Sequence, residues 1–207
     1  MKSLKVVLWF ALVGLFISIT ALSSCKKDIS PNNSIPKIKT RIFPSAAYGG
    51  MVTQMFTYDS QGRISTETDT GAHSDLITYA YGDHLVTVVG SSYTFIYRLN
   101  NVGLADTVFY NGTLYTYYQY DINGHMLFDG TNNYVWSNDN MIMAGGTTYS
   151  YLTDKLNTIG NANKGITFLG KDSKNLQSAW SNSLTNGVYN YTFDAQNRVV
   201  SFNVNET

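Results

Sequence analysis

The pattern of apolar and polar positions changes character twice along the chain. From Val6 to Leu22 the run VVLWFALVGLFISITAL carries no charge. The next stretch, KKDISPNNSIPKIKTRIFPS from Lys26 to Ser45, is polar, holds all three prolines and has no period. Beyond it, short runs alternate, as in Tyr93-x-Phe95-x-Tyr97, and that alternation puts one set of rings on one face of a strand. Proline is absent from Ser45 to Thr207, which suits backbone amides committed to a hydrogen-bonded ladder. Lys171–Asn182 is the nearest approach to an amphipathic helix, and it is a poor one.

A single unit recurs throughout the alternating region: aromatic, any residue, aromatic, then a polar turn, then an aliphatic residue. The clear copies are FTYDSQGRI (Phe56–Ile64), YQYDINGHM (Tyr118–Met126) and YTFDAQNRV (Tyr191–Val199). Weaker copies lead to Leu85, Leu104, Met141, Leu156 and Leu176, so the aliphatic positions stand 15 to 23 residues apart. That spacing fits two short strands and two turns. Asn111-Gly112 has the residues a two-residue hairpin turn demands. Asp59, Asp121 and Asp194 can each hydrogen-bond their own backbone in a turn. The pattern predicts an all-β domain over 45–207. Its form is an antiparallel up-and-down meander of about eight hairpins, closed or strongly curled into a barrel-like sheet so that its edges are protected.

The beginning of the chain carries a different message. Lys2 and Lys5 precede the apolar run, and Leu22-Ser23-Ser24-Cys25 follows it. Charge, apolar run and small residues in that order predict a secretory signal peptide over 1–24. Leu22-Ser23-Ser24-Cys25 resembles the bacterial lipobox, which implies cleavage before Cys25 and acylation of its thiol. Cys25 is the single cysteine of the 207 residues, and an unpaired thiol in an exported protein otherwise lacks a purpose. Two or three acyl chains, at about 0.8 kcal/mol per buried CH₂, hold a protein firmly to a membrane. Residues 25–44 then form a lipidated N-terminus and flexible linker. Losing Lys2 and Lys5 lowers Lys+Arg from 14 to 12 against 14 Asp+Glu, a net charge of −2. So weak and scattered a charge excludes a nucleic-acid partner.

The Tyr-x-Tyr-Asp-x-x-Gly-Arg unit resembles the tyrosine–aspartate (YD) repeats of Rhs and teneurin shells. The chain as a whole is more similar to an uncharacterised family of Bacteroidetes lipoproteins with a porin-like fold. The shared features are the lipobox, the Tyr-Asp turns and Gly170-Lys171-Asp172-Ser173-Lys174-Asn175-Leu176. The likeness covers about residues 51–204. It implies a porin-like β-meander at the cell envelope, by analogy at the outer membrane, and no reaction.

Candidate chemistry is sparse. No nucleophile elbow or P-loop is present, and Cys25 is spoken for. His73, His84 and His125 stand apart in sequence, without a second ligand beside any of them. Asp121-Ile122-Asn123-Gly124 opens like a calcium loop, but position 132, where a bidentate Glu should close it, is Asn. These readings leave no metal, no cofactor and no catalytic set. Tyrosine is abundant, and Tyr115, Tyr117 and Trp136 are the candidates for an exposed cluster that stacks on a glycan or a protein. A membrane-spanning barrel is disfavoured because the strands look like five to seven residues and carry Thr, Ser and Asn on both faces. The expected function is a non-enzymatic envelope lipoprotein that binds a protein or glycan; the alternative is a polysaccharide hydrolase.

Overall fold

The computed structural model describes residues 20–21, 35–45 and 47–207. Leu22, Ser23, Ser24 and Cys25 lie outside the described residues, with most of the expected signal peptide and linker. Seventeen strands and no helix are found among the described residues: β1 (Thr20–Ala21), β2 (Thr40–Ser45), β3 (Gly50–Tyr58), β4 (Ile64–Gly71), β5 (Asp75–Gly82), β6 (Leu85–Val89), β7 (Thr94–Leu99), β8 (Ala105–Tyr110), β9 (Thr113–Tyr117), β10 (Gln119–Tyr120), β11 (Met126–Phe128), β12 (Tyr134–Ser137), β13 (Asn140–Ala144), β14 (Thr147–Leu156), β15 (Asn175–Ser181), β16 (Asn186–Phe193) and β17 (Val199–Glu206).

Fifteen strands form one antiparallel sheet in the order β12-β13-β14-β15-β16-β17-β1-β2-β3-β4-β5-β6-β7-β8-β9. The meander is thus present. The expected closed or strongly curled barrel is not: the sheet is open, with β9 and β12 as its edges. The chain between those edges makes many of its hydrogen bonds within itself. β10 and β11 pair as a separate hairpin, and Asp129 accepts bonds from the N–H groups of Thr131 and Asn132 and from the Tyr134 hydroxyl.

Two further expectations are corrected, and the doubt about a helix at Lys171–Asn182 is borne out. The linker ends earlier than residue 44, because Thr40–Ser45 already pairs with β3. Among the described residues β1 pairs with β2 only at Ile42, so no described strand demands an amide donor of Pro44 on that side. The poor helix pattern of Lys171–Asn182 resolves into the entry to β15. Strands also run longer than five to seven residues, up to ten in β14, so length does not count against a spanning barrel.

The two faces of the first half differ sharply. Strand register aligns Thr40–Met55–Thr68–Leu76 and Thr57–Thr66–Thr78–Val89–Thr94 in outward rows, where threonine interrupts every aliphatic run. On the other face, rows such as Tyr79–Val88–Phe95–Tyr110 and Tyr81–Val86–Tyr97–Val108 build a core with Ala105, Tyr118 and Met126. A second core, of Leu176, Trp180, Tyr189, Val199, Phe202 and Val204, lies under the C-terminal strands.

Both cores receive side chains from a single irregular segment, 157–174, between β14 and β15. It delivers Ile159 to the C-terminal core and Ile166, Phe168 and Leu169 to the other. A structureless stretch of this length is uncommon inside a compact domain, and its main chain must find partners. Here the N–H groups of Ile38, Ile64 and Ala105 donate to the carbonyls of Asn163, Gly165 and Phe168, at 3.0, 3.2 and 2.7 Å. In return the N–H groups of Lys171 and Lys174 donate to Gly124 and Asp139, both at 2.9 Å. Gly165 is where the approach is closest. Its φ is +71°, and a Cβ there would stand 2.6 Å from the Ile64 nitrogen and 2.8 Å from the Gly62 oxygen.

Two glycine replacements separate the effect of this approach from that of the backbone angle. Gly146 has φ +84° with nothing within 4 Å of a built Cβ. Gly146→Ala should cost about 1–2 kcal/mol for the left-handed angle alone. Gly165→Ala should cost roughly 1–3 kcal/mol more, since main chain must also move. Urea unfolding of the two variants measures this; equal losses would mean that the segment is only loosely laid on the sheet.

Candidate functional site

The Tyr-Asp turn is built the same way wherever it occurs. At Asp59, Oδ1 accepts the N–H groups of Gln61 and Arg63, both at 2.9 Å, and Oδ2 accepts Arg63 Nε at 2.7 Å. Asp194 repeats this with Gln196 and Arg198, and Asp121 with Asn123 and His125. Asn100 makes the two Oδ1 bonds to Val102 and Leu104, and there the chain has Leu104 where the others have Arg or His. The chemistry explains the exchange: an amide can cap the turn but has no second anionic oxygen for a guanidinium. Residues with φ between +57° and +85° complete each turn: Gly62, Gly103, Gly124 and Asn197. Water lost on burial would raise the Asp59 and Asp121 carboxyls. The N–H and side-chain donors of residues 63 and 125 outweigh that loss and hold both below the ordinary carboxylate range.

His125 therefore occupies the arginine position of the repeat. Arg63 lies over the Tyr81 ring at 4.0 Å, and His125 stacks on Trp136 with ring centroids 4.4 Å apart. The imidazole is 4 % exposed. Its Nδ1 donates to Asp121 Oδ2 at 2.9 Å, and its Nε2 lies 3.3 Å from Asp139 Oδ1 without the alignment of a hydrogen bond. Read from the sequence, His125 had no second ionisable group beside it; folding puts two carboxylates there. The signal was available in the repeat, because Arg63 and Arg198 stand at the same offset from their aspartates. Among the described residues, no group of three or more His, Cys, Asp or Glu could hold a metal ion.

Four residues of 170–176 are used nearby. The Asp172 carboxylate accepts the Asn161 N–H, and burial pushes its pKa up. Ser173 Oγ accepts the Met141 N–H and donates to the Tyr151 hydroxyl. Asn175 is 5 % exposed, exchanges two bonds with Asn140 and donates to the carbonyls of Thr153 and Lys155. Leu176 enters the C-terminal core.

These elements surround a cavity of about 730 Å³. One wall is the β7–β8 turn with Asn100, Val102 and Leu104; a second is the β10–β11 hairpin with Tyr120, Asp121, Ile122, Asn123 and His125; segment 157–174 forms the rest. Its size lies within the roughly 300–1,000 Å³ of small-ligand sites. Tyr118 and Ile166 contribute apolar surface, and Lys171, Asp172 and Lys174 carry charge at its border. The Tyr120 hydroxyl is buried without a hydrogen-bond partner among the described residues.

The three expected stacking residues have three different neighbourhoods. Tyr115 is half-exposed beside Phe95 and Tyr110, and Tyr117 is half-exposed against Phe128. Trp136 is partly buried, covered by His125, and its Nε1 donates to the Met126 carbonyl at 2.7 Å. Of the three, only Trp136 touches a side chain that lines the cavity.

A second polar cluster sits on the core face of the first half. Register aligns Arg41–Gln54–Asp69–Asp75, and beside that row Phe56–Glu67–Ile77. Burial between two apolar neighbours, with Asp69 near, raises Glu67 to about 7 against the help of Lys164 and Arg41. Gln54 Nε2 donates to its Oε1 at 2.5 Å. Glu67 does not line the cavity.

No family model matches the chain, and no curated protein matches it. Among solved structures it is similar to the crystal structure of a porin-like protein from Bacteroides uniformis. The TM-score is 0.59 at 14% identity, over 92% of this chain and 96% of that one. At that identity the likeness is one of fold, and it agrees with the porin-like fold that the family resemblance implies.

Glu67 gives stability a specific pH dependence. Its pKa is 4.5 unfolded and about 7 folded, so the folded state binds the proton more tightly. The contribution is complete below pH 4.5, declines as pH rises, and is lost above about 7. Glu67→Gln, always neutral, should match the natural protein near pH 5 and exceed it near pH 8. Urea midpoints at the two pH values test this; the same gap at both would show that Glu67 does not titrate on unfolding.

Proposed function

We propose that the chain is a cell-envelope lipoprotein, held by lipid on Cys25, whose β-sheet domain binds a small glycan without transforming it. The observation that carries the binding reading is the cavity, walled by two turns and segment 157–174 and lined by apolar and polar side chains together. The Leu22-Ser23-Ser24-Cys25 sequence supports the anchor, and the porin-like fold of the Bacteroides neighbour supports a place at the outer membrane. The threonine-interrupted outward rows favour a tethered domain over an inserted one. Cleavage before Cys25 would remove β1, and segment 157–174 would then be the main tie between the two cores.

A hydrolase remains the second reading for one reason. Asp172, raised, and Asp121, lowered, line the same cavity, and such divergence marks acid–base pairs. Against it, Asp121 spends both oxygens on Asn123 and His125.

Two experiments test the proposal. Cys25→Ser should move the protein from the detergent to the aqueous phase, or leave it unprocessed; a variant that still partitions as acylated would remove the anchor. On an array of envelope and plant glycans the natural protein should bind and return its ligand intact. Asn123→Trp, which fills the cavity mouth from a turn, should abolish that binding. Binding indifferent to Asn123→Trp would place the ligand elsewhere, and shortened glycans would establish the hydrolase.

A further inference from the structure

We infer that the cavity end of the domain rests on the membrane to which the chain is tethered, with Val102 and Ile122 dipping into the lipid. The inference rests on the anchor of the reading above and is independent of what fills the cavity. It begins from a comparison of the repeated turns. In each copy the first side chain accepts the N–H groups of the third and fifth residues. No such bond needs the side chains at the second and third positions. The copies at Asp59 and Asp194 fill those positions with Ser60 and Gln61, and with Ala195 and Gln196. The two copies on the cavity put aliphatic Val102 and Ile122 there, 79 % and 100 % exposed. A lone exposed aliphatic residue is ordinary; these two top neighbouring turns on one rim. Both turns are held closed, by Asn100 N–H to the Leu104 carbonyl at 2.8 Å and Asp121 N–H to the His125 carbonyl at 2.9 Å. The tips are therefore preset, and burying them orders no loop.

The course of the chain decides what lies opposite these tips. Residues 36–38 join the domain against the cavity wall. The Ile38 N–H donates to the Asn163 carbonyl at 3.0 Å, the Asn163 side-chain amide to the Pro36 carbonyl at 3.0 Å, and Lys37 Nζ to the Ala162 carbonyl at 2.8 Å. Ala162 and Asn163 themselves line the cavity. Only ten residue steps lead from Cys25 to Ile35, a reach of at most about 33–36 Å. Lipid on Cys25 therefore keeps this end of the domain near the bilayer. The β15–β16 turn marks the opposite end, because β15 starts just after the cavity-lining Lys174 and runs seven residues away from it.

Charge does not make the contact. Lys171 and Lys174 are exposed beside the tips, but Asp121, Asp139 and Asp172 line the same cavity and outnumber them. An anionic surface is thus not favoured over a zwitterionic one, and the aliphatic tips must carry the contact. A protein partner would ask for roughly 800 Å² of matched surface on each side. Two separate tips beside an open mouth do not offer that, whereas a bilayer accepts side chains one at a time. Such a pair is too small to hold a free protein on lipid. On a tethered one the contact is intramolecular, and high effective concentration replaces affinity. The tips orient the domain, and the cavity mouth opens toward the headgroup layer.

The test uses the product of the full-length gene, purified from membranes in detergent and returned to phosphatidylcholine vesicles. Ile122→Trp and Leu184→Trp each add one indole at an exposed tip, Leu184 being 89 % exposed in the β15–β16 turn. Subtracting the natural protein's emission isolates that indole. Lipids brominated in the upper acyl chain should quench the indole at position 122 and leave the one at 184 unaffected. Both variants should melt with the natural protein, since neither side chain is packed. Val102→Asp combined with Ile122→Asp should lift the end off the lipid, so that Lys171 and Lys174 are acetylated faster on vesicles than in the natural protein. The same two substitutions in a Cys25→Ser background, off the membrane, should leave acetylation unchanged. Added salt should alter none of these results. Equal quenching at 122 and 184, or none at 122, would overturn the contact and leave the anchor standing. Quenching at 122 that salt abolishes would transfer the contact to charge and overturn the role of the tips. A natural protein that leaves the vesicles as readily as Cys25→Ser has no anchor, and the inference falls with it.

Discussion

Segment 157–174 has to be satisfied at every polar backbone group while it lies across a sheet, and the rest of the architecture depends on that requirement. Strands satisfy their amides with neighbours; an irregular segment must borrow donors and acceptors from elsewhere. It takes them from the lead-in to β2, from the starts of β4 and β8, and from the turns after β10 and β12. Each borrowed bond fixes a distant piece of chain against the segment. Phe168 and Ile159 then add apolar burial on its two sides, one in each core. Gly165 marks the tightest point, where main chain meets main chain and no side chain fits.

The same segment makes the cavity. Its outer end runs past the β10–β11 turn, and the space left between them is lined by whatever the turn presents. The repeated Tyr-Asp turn is thereby put to two uses. At Asp59 and Asp194 the carboxylate holds an arginine, and the motif closes a hairpin. At Asp121 the cation is replaced by His125, which is buried under Trp136 and pointed at Asp139. A structural device with one residue exchanged thus joins the lining of a site.

Polar groups on the core face are arranged with unequal consequences. Glu67, between Phe56 and Ile77, loses water and gains little, so it stays partly protonated near neutrality. Asp121 loses water too but gains a turn of donors, so it stays ionised. The carboxyl raised to about 7 lies away from the cavity, and Asp121 within it spends both oxygens on its own turn. That division favours recognition over acid–base chemistry.

The sequence alone determined what depends on neighbours in the chain. Alternation, the absence of proline and the Asp-x-x-Gly turns all act within a few residues, so the antiparallel meander and the turn geometry were legible from residues 51–204. The lipobox proposed at 22–25 is of the same class, a linear signal read by an enzyme rather than by a fold. Tertiary structure decided what depends on distant encounters. Closure was one such matter: whether β9 meets β12 is settled by how the intervening hairpin uses its amides, and no periodicity records that. Burial was another, since Trp136 reads as a free ring until His125 is stacked on it. The cavity was a third. Its walls come from turns near residues 102 and 122 and from 157–174, and they share one lining only once those segments are brought together.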